Sequence, residues 1–98
     1  MSQSTAIRSV TIVNPQGIHL RPAGLFVKLA NQYQASIEVV KGNERFDGKS
    51  VLSLLTIGGV QGTPLTLHAT GPDAEQAVEA LSALLEQGFG EMDPLADG

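Results

Sequence analysis

A histidine and an arginine stand one residue apart in the stretch Gly17-Ile18-His19-Leu20-Arg21-Pro22-Ala23. The imidazole of His19 can act as a nucleophile near pH 7, and the guanidinium of Arg21 can form charge-assisted hydrogen bonds with phosphate oxygens. Because proline favours the first turn of a helix, we expect Pro22 to open a helix and His19 to lie in the loop just before it. Unpaired amides and the helix dipole favour negative charge at that place. The stretch therefore indicates a site that handles phosphate.

Few other side chains in the chain suit catalysis or metal binding. The sequence has no cysteine, which excludes thiol catalysis, disulfides and thiolate metal ligands. We interpret His68, in an alternating segment, as a passive histidine on the solvent face of a strand. No Ser-His-Asp arrangement can be assembled, and we expect neither a metal nor a cofactor. The glycines of residues 58–62 lack the lysine and the spacing of a phosphate-binding P-loop, and we interpret them as a helix stop and a turn.

Four segments alternate apolar and polar residues, as strands with one buried face do. Gly42-Asn43 is a hairpin signal, so the second and third of these strands should be adjacent. All four patterns suit an antiparallel sheet that exposes one face to water. The predicted strands span residues 9–13, 37–40, 44–47 and 64–70.

Helices should cover the other face of this sheet. We expect the helix opened by Pro22 to reach about residue 34, with Arg21 biased away from helical geometry by the proline that follows it. A short helix over residues 51–57 should follow the N-cap residue Ser50.

The last predicted helix begins near Asp73. Asp73 and Gln76 resemble a capping box, and Gly88 should end the helix. The resulting order of elements, β-α-β-β-α-β-α, describes an α+β fold in one domain over residues 1–98. We expect an ordered core over about residues 6–89, with Phe89 folded back against the last helix, and a flexible tail over residues 90–98.

The composition excludes several classes of protein. The 98 residues are 42% hydrophobic and 16% charged, which is typical of a globular protein. The net charge of −4 argues against nucleic-acid binding, because affinity for a phosphate backbone depends on clustered Lys and Arg. No apolar run approaches the ~20 residues of a membrane span, and residues 1–5 lack the pattern of a signal peptide. We therefore expect a cytoplasmic protein without membrane insertion.

The stretch over residues 17–23 resembles the G-x-H-x-R-P-A active-site signature of the HPr family, the histidine-containing phosphocarriers of the bacterial phosphotransferase system. Further motifs at the family's order and spacing are Asn14-Pro15-Gln16-Gly17, Asp47-Gly48-Lys49-Ser50, Gln61-Gly62-Thr63 and Gly71-Pro72-Asp73-Ala74-Glu75. The resemblance runs to about Phe89. It implies an open-faced β-sandwich, in which a four-stranded antiparallel sheet is covered on one face by three helices.

The resemblance also implies a function and its partners. His19 would accept a phosphoryl group on Nδ1 from phosphorylated enzyme I, with phosphoenolpyruvate as the ultimate source. It would then pass the group to enzyme IIA components of sugar transport, and Arg21 would bind the phosphoryl oxygens. The protein would be a stoichiometric carrier rather than an enzyme, and we expect it to be a monomer.

The partner-binding surface of the family maps onto two helices of this chain. Its residues here are Leu20, Gly24, Val51, Leu52, Leu55 and Thr56. If Val51, Leu54 and Leu55 form the inward side of the short helix, Leu52 is left outside, and Leu20, Leu25 and Leu55 could join it beside His19. The alternative, that these leucines complete the core, stays open, above all for Leu55. Gly24 departs from the family, which usually has alanine or a larger residue there.

A second phosphorylation site is implied at Ser50. The string Gly48-Lys49-Ser50-Val51 resembles the family's regulatory serine region, which adds a serine kinase/phosphorylase and a transcriptional regulator to the candidate partners. A phosphate at a helix N-cap meets the dipole and the first-turn amides, so the fold should survive its addition. The alternative is that Ser50 is only a helix cap.

The amino-acid sequence is compatible with two more functions. The nitrogen-related regulatory branch of the family shares the histidine but has different partners, and the Gly88-Phe89 ending is similar to it. A small-ligand-sensing domain of ACT-like type shares the β-α-β-β-α-β pattern but leaves the His-x-Arg-Pro string unexplained. Arg21, Lys28 and Lys49 form either a positive patch for an acidic partner or a set of scattered cations that keep the surface soluble.

Overall fold

A computed structural model describes residues 4–91 of the chain. Four strands and three helices follow one another in the predicted order, and a single turn follows the last helix. The elements are β1 (Ser4–Thr11), α1 (Leu20–Ala30), β2 (Ser36–Lys41), β3 (Glu44–Asp47), α2 (Val51–Leu55), β4 (Pro64–Gly71), α3 (Ala74–Glu86) and the turn Gly88–Gly90.

The strands form one antiparallel sheet in the order β1-β4-β2-β3. Directly opposed residues share a face, and the pairs Val10 with Leu65 and Val39 with Leu67 are all buried. His68 alternates with them and lies on the opposite face, as predicted. The alternation predicted the two faces, whereas the strand order became visible only in the structure.

The three helices pack on the apolar face and complete the core. Helix α3 contacts β1 and β4, and α1 contacts both α2 and α3. The side chains that the helices bury completely include Ala23, Ala30, Leu81 and Leu85, with Leu54 from the short α2. This confirms the predicted fold, an α+β open-faced sandwich with helices on one face only.

Helix α1 begins two residues earlier than predicted, at Leu20, and His19 is its N-cap. Pro22 is therefore the third helical residue, and Arg21, predicted to be non-helical, lies inside the first turn. Proline is tolerated throughout a first turn, because the amides there have no intrahelical acceptor and the carbonyl four residues back precedes the helix. The helix also ends at Ala30 rather than near residue 34, with Asn31 as its C-cap.

Strand β1 starts earlier than its predicted beginning at residue 9. It pairs with β4 along its whole length, from Ser4 opposite Gly71 to Thr11 opposite Pro64. The length of β4 therefore determines where β1 begins, and a pattern within β1 alone could not reveal it. The predicted buried face is correct, since Val10 and Ile12 are both buried.

The two remaining helices differ in how well their caps were predicted. Ser50 is the N-cap of α2, and its hydroxyl accepts a hydrogen bond from the Ser53 amide at 3.1 Å, as predicted. The prediction of a capping box at the start of α3 is wrong, because the Asp73 side chain does not cap its own helix. Its carboxylate instead accepts hydrogen bonds from the backbone amides of Gln34 and Ala35, each at 2.9 Å.

Asp73 therefore ties the loop between α1 and β2 to the start of α3. The hydrogen bond from the Gln34 amide, helped by that from Ala35 and by the charge of Lys49, outweighs desolvation and lowers the pKa of Asp73. A carboxylate whose pKa is lowered by folding stabilises the protein at pH values above its unfolded-state pKa. That contribution is lost as the pH falls through the folded-state pKa.

Replacing Asp73 with asparagine should lower the stability at neutral pH, because an amide nitrogen would then face one of the two backbone N–H groups. The difference in urea midpoint between wild type and Asp73→Asn should shrink in acid, where the wild-type carboxyl is also uncharged. Urea unfolding followed by circular dichroism from neutral pH to acid measures both effects. Glu75→Gln, at an exposed carboxylate in the first turn of α3, is the matched control and should change the midpoint much less. A difference that stays constant with pH would contradict the linkage to Asp73.

Candidate functional site

A tight turn positions the loop before α1. The Gly17 amide donates to the Asn14 carbonyl at 3.1 Å, and Pro15 occupies the second position of this turn. Gly17 has φ +70°, and a Cβ there would lie 2.2 Å from the carbonyl oxygen of Gly59. The next amide, that of Ile18, donates to the same Gly59 oxygen at 2.9 Å. Only glycine allows this close approach, which fixes the loop against the segment that follows α2.

His19 directly follows this anchored loop and caps α1. Its backbone is extended, with φ −113° and ψ −166°, and its carbonyl accepts the first intrahelical hydrogen bond, from Ala23 at 3.0 Å. The side chain is 38% exposed. The amides of the first turn have no intrahelical partner, so an anion near the imidazole would meet the positive end of an 11-residue helix.

Glu91 lies beside His19 although 72 residues separate them in the sequence. The Nε2 atom of His19 is 3.2 Å from both carboxylate oxygens. Arg21 Nη1 donates to Oε2 at 3.1 Å, and Asn14 Nδ2 donates to Oε1 at 2.9 Å. The side chain of Glu91 is only 11% exposed. Gly90 and Glu91 belong to the predicted flexible tail, and Glu91 lies against the site. Residues 92–98 of that tail lie outside the described residues.

The turn Gly88–Gly90 brings Glu91 back to the site. Gly88, Phe89 and Gly90 have φ of +64°, +56° and +76°, so three successive residues are left-handed. Such a backbone costs a residue with a Cβ about 1 to 2 kcal/mol. Burial of the Phe89 side chain, which is 2% exposed, offsets this cost, and Arg21 Nη1 donates to the Phe89 carbonyl at 3.1 Å. The predicted folding back of Phe89 is confirmed.

Two opposing effects act on the Glu91 carboxyl. Burial alone raises its pKa, but hydrogen bonds from His19, Asn14 and Arg21 and the attraction to His19 outweigh burial. The pKa of Glu91 is therefore lower than that of an ordinary glutamate, and the group is a carboxylate at neutral pH.

The side-chain amide of Asn14 links the loop before α1 to Glu91. It is fully buried, and its Nδ2 donates to the Gly17 carbonyl at 2.8 Å as well as to Glu91. Its Oδ1 is buried and has no hydrogen-bond partner among residues 4–91. The two donated bonds settle the orientation of the amide, because the reverse orientation would place Oδ1 against two other oxygens.

The apolar residues of the implied docking surface are exposed to different degrees. Leu52 is 77% and Leu20 is 68% exposed, whereas Leu54 is buried, as predicted. Leu55 is 37% exposed and Val51 is half-buried, so of the two positions left open for Leu55 the structure shows the exposed one. A five-residue helix presents too narrow a face to bury both Leu54 and its neighbour Leu55.

The remaining predicted site residues have separate environments. A Cβ on Gly24 would meet no atom within 4 Å, so packing gives no reason for a glycine inside α1. Lys28 is exposed in the last turn of α1, about 10 Å along the axis from Arg21. Lys49 donates to the Tyr33 carbonyl at 2.8 Å. Thr56 is exposed at the end of α2.

Sequence reasoning missed three residues next to the site. Glu91 contacts His19 across 72 residues of sequence, and Asn14 takes part through its hydrogen bond to Glu91 across 77 residues. Only the two glycines around Phe89 signalled that the chain turns sharply there. Val60 is 66% exposed and follows Gly59, which contacts the loop before His19. Its place in a glycine-rich loop gave no sign of this position.

Comparisons with known proteins identify the family of this chain. A sequence profile described as "PTS HPr component phosphorylation site" matches residues 7–87. A phosphocarrier protein HPr from Vibrio cholerae is 42% identical over 80 residues, which cover 82% of this chain and 94% of that protein. This chain belongs to the HPr family of phosphocarriers. The ACT-like alternative is thereby excluded.

Two further similarities extend the assignment. The crystal structure of HPr-C-His from Thermoanaerobacter tengcongensis is 38% identical in sequence and has a TM-score of 0.84, covering 88% of this chain and 97% of that chain. The Multiphosphoryl transfer protein of Haemophilus influenzae is 35% identical over 92 residues, which make up 90% of this chain but only 18% of that protein. HPr proteins are phosphocarriers and not enzymes, so this chain holds and releases a phosphoryl group rather than turning over a substrate.

Neither a cluster of metal ligands nor a membrane-spanning helix occurs in the part of the chain that the structure describes. Between residues 4 and 91, no three His, Asp or Glu side chains come together in a way that could hold a metal ion. No helix within the same range is long and apolar enough to cross a membrane.

Proposed function

We propose that this HPr protein accepts a phosphoryl group on Nδ1 of His19 from phosphorylated enzyme I and passes it to enzyme IIA components, as a cytoplasmic carrier. The observation that carries the proposal is the orientation of a partly exposed imidazole at the N-terminus of α1. Its Nε2 faces the Glu91 carboxylate, and Nδ1 forms no hydrogen bond within residues 4–91. The ring nitrogen without a partner is the one available for bonding to phosphorus.

The chemical step needs little from the protein besides position. The lone pair of Nδ1 attacks phosphorus, and the bond between phosphorus and the leaving group of the donor breaks. In the second transfer the Nδ1–P bond breaks as the acceptor bonds to phosphorus. Helix amides and a nearby cation stabilise the charge on the phosphoryl oxygens during both steps.

Arg21 is the nearby cation that is suited to stabilising the charge on the phosphoryl oxygens. Its side chain is 58% exposed, and its present partners are the Glu91 carboxylate and the Phe89 carbonyl. When the guanidinium leaves, the Glu91 carboxylate, which is 11% exposed, still has Asn14 and His19 as hydrogen-bond partners. We infer that Arg21 turns towards the phosphoryl oxygens once His19 is phosphorylated, which would hold the group without trapping it.

The exposed leucines of α1 and α2 are suited to docking. Leu20 and Leu52 lie on the neighbouring helices α1 and α2, with Leu55 less exposed. We call Leu20, Gly24, Val51, Leu52, Leu55 and Thr56 the docking patch. Large apolar side chains exposed near a reactive group are typical of a surface that a partner covers. Transfer between two proteins requires such a surface, because both reacting groups must be excluded from water together.

Similar segments occur in larger phosphoryl-transfer proteins. The relative from H. influenzae is named a Multiphosphoryl transfer protein and contains one region like this chain. This supports partners that carry phosphoryl groups. We propose the sugar-transport branch as the pathway, and the nitrogen-related branch is the second candidate because of the Gly88-Phe89 ending.

Ser50 is proposed as a regulatory phosphorylation site. The residue is half-buried at the N-cap of α2, two residues before the exposed Leu52. A phosphate there would add a charge of about −1.5 to −2 to the edge of the docking patch. It would meet the first-turn amides of α2 and so preserve the helix, yet repel an acidic partner surface.

The proposed carrier function predicts one labelled histidine. Incubated with phosphoenolpyruvate and a cognate enzyme I, the wild type should gain one acid-labile, base-stable phosphoryl group. His19→Ala should gain none, and the matched control His68→Ala should be labelled like the wild type. Arg21→Ala should be labelled more slowly, by about tenfold or more, because a donor to the transferring group is lost. Label that persists in His19→Ala would show that the site is elsewhere. Parallel reactions with enzyme I of the sugar and nitrogen branches distinguish the two pathways.

The docking patch predicts a change in binding without a change in folding. Leu52→Glu should weaken binding to enzyme I by about tenfold or more, since a charge would be desolvated in the interface. Its unfolding free energy should change by about 0.5 kcal/mol or less, because Leu52 is 77% exposed. Ile7→Glu is the matched control, since Ile7 is 61% exposed on β1, outside the docking patch. Calorimetric titration and thermal unfolding measure both quantities. Equal losses of binding in the two variants would contradict this location of the interface.

A negative charge at Ser50 should slow phosphorylation of His19. Ser50→Asp should keep the fold, because aspartate is also a good N-cap, and should reduce the rate of labelling by enzyme I. Ser9→Asp, at an exposed serine on β1, adds the same charge elsewhere and should leave the rate unchanged. An unchanged rate in a folded Ser50→Asp protein would leave Ser50 as a helix cap alone.

A further inference from the structure

The two edge strands of the sheet differ in how far their outer edges are covered. Strand β3 has four residues, and the Asp47 amide at its end donates to the Ser53 hydroxyl of α2 at 3.0 Å. Strand β1 has eight residues, Ser4–Thr11, and pairs with β4 alone. Every second residue of such a strand directs its N–H and C=O groups away from the sheet. Among residues 4–91 these outward groups of β1 have no backbone partner.

Strand β1 also lacks the features by which proteins protect an edge strand. Its sequence, Ser-Thr-Ala-Ile-Arg-Ser-Val-Thr, contains no proline and no lysine, and its register with β4 runs without a bulge. Threonine, isoleucine and valine favour strands. Ile7 is 61% exposed on the open face of the sheet, opposite His68. A long, regular and unprotected edge can pair with another extended chain.

A groove runs along this edge between β1 and α3. It is lined by residues 5–8 of β1 and by Glu75, Val78 and Glu79 of α3, and no residue of β4 lines it, so it lies on the outer side of β1. Val78 is buried, whereas Glu75 and Glu79 are exposed and lie four residues apart on one face of the helix. Within the described part of the chain neither carboxylate forms an ion pair.

Arg8, at one end of the groove, leaves these two carboxylates without a cation. Its Nη1 donates to the hydroxyl of the fully buried Ser82 at 2.8 Å. Ser82 in turn donates to the Glu79 backbone carbonyl at 3.0 Å. The guanidinium is therefore held against α3 by a neutral group. The groove offers an apolar base at Val78 and two carboxylates that can pair with cations of another molecule.

We propose that the outer edge of β1 binds an extended, basic segment of another protein, which adds a strand to the four-stranded sheet. The side chains of an added strand alternate between the two faces of the sheet. Those on the face that the helices cover enter the groove, where a lysine or arginine can lay its stem on Val78 and reach Glu75 or Glu79. Those on the open face lie beside Ile7, where an apolar side chain fits. The segment that suits this edge therefore alternates basic and apolar residues.

A second copy of this chain fits the same edge less well. Two chains paired along β1 would be related by a two-fold axis, which brings the acidic side of one α3 towards that of the other. The net charge of −4 on each chain adds to this repulsion, whereas a basic segment is attracted. The edge lies on β1 and α3 and the docking patch on α1 and α2, so this inference does not rest on the proposed carrier function.

Hydrogen exchange of the β1 amides tests strand addition directly. The probe is a short peptide with blocked ends in which lysine and valine alternate, added to the ¹⁵N-labelled full chain. Bound peptide should slow exchange at every second amide of β1, because only the outward amides gain a carbonyl partner. The same peptide with N-methylated backbone amides should bind about tenfold more weakly or less, since it cannot donate to β1. Exchange that slows at no β1 amide, or equally at all of them, would overturn the proposal.

Variants of the groove test the choice of a basic partner. The double variant Glu75→Gln and Glu79→Gln should bind the lysine peptide about three- to tenfold more weakly, the effect expected from two exposed ion pairs. Glu86→Gln removes an exposed carboxylate of α3 outside the groove and should bind like the wild type. Equal binding by the double variant and the wild type, or equal affinity for a peptide with glutamate in place of lysine, would contradict the proposal. Protection of the same amides that grows with protein concentration, without peptide, would overturn it in favour of a second copy.

Discussion

The cost of burying a carboxylate is the constraint around which this site is organised. A side chain of glutamate that is only 11% exposed has to be paired with donors, or it would be strongly destabilising. Here the donors come from the loop before α1 and from its first turn. The pairing therefore holds only while the loop, the helix and the Gly88–Gly90 turn keep their positions together. The glycines that permit the turn at Phe89 and the approach to Gly59 are part of the same arrangement.

Much of the fold could be predicted because its causes are local. Alternation identified the strand faces, and helical periodicity with the cap at Ser50 identified the helices. The failures have non-local causes: β1 is as long as its partner β4, and Asp73 binds amides from a distant loop instead of capping α3. The prediction from Pro22 placed the start of α1 two residues too late, because proline fits any position of a first turn.

In the candidate site too, the residues with local causes could be predicted and those brought together by the fold could not. His19 and Arg21 could be recognised from their types and spacing, since both lie in one short string. Glu91 could not, because it lies 72 residues away and reaches His19 only through three successive left-handed residues. The exposed leucines are an intermediate case. Periodicity placed Leu52 outside correctly, but it could not tell how much surface the five-residue helix α2 could bury at Leu55.

The most direct measurement of the carrier role is the scalar coupling between phosphorus and nitrogen in the phosphorylated protein. Phosphorylation of a chain with ¹⁵N-labelled histidine should give a one-bond coupling to Nδ1 of His19, with no coupling at His68. Nδ1 is expected because Nε2 faces the Glu91 carboxylate. A coupling to Nε2 of His19, or to either nitrogen of His68, would contradict both the choice of nucleophile and the way in which the surrounding residues present it.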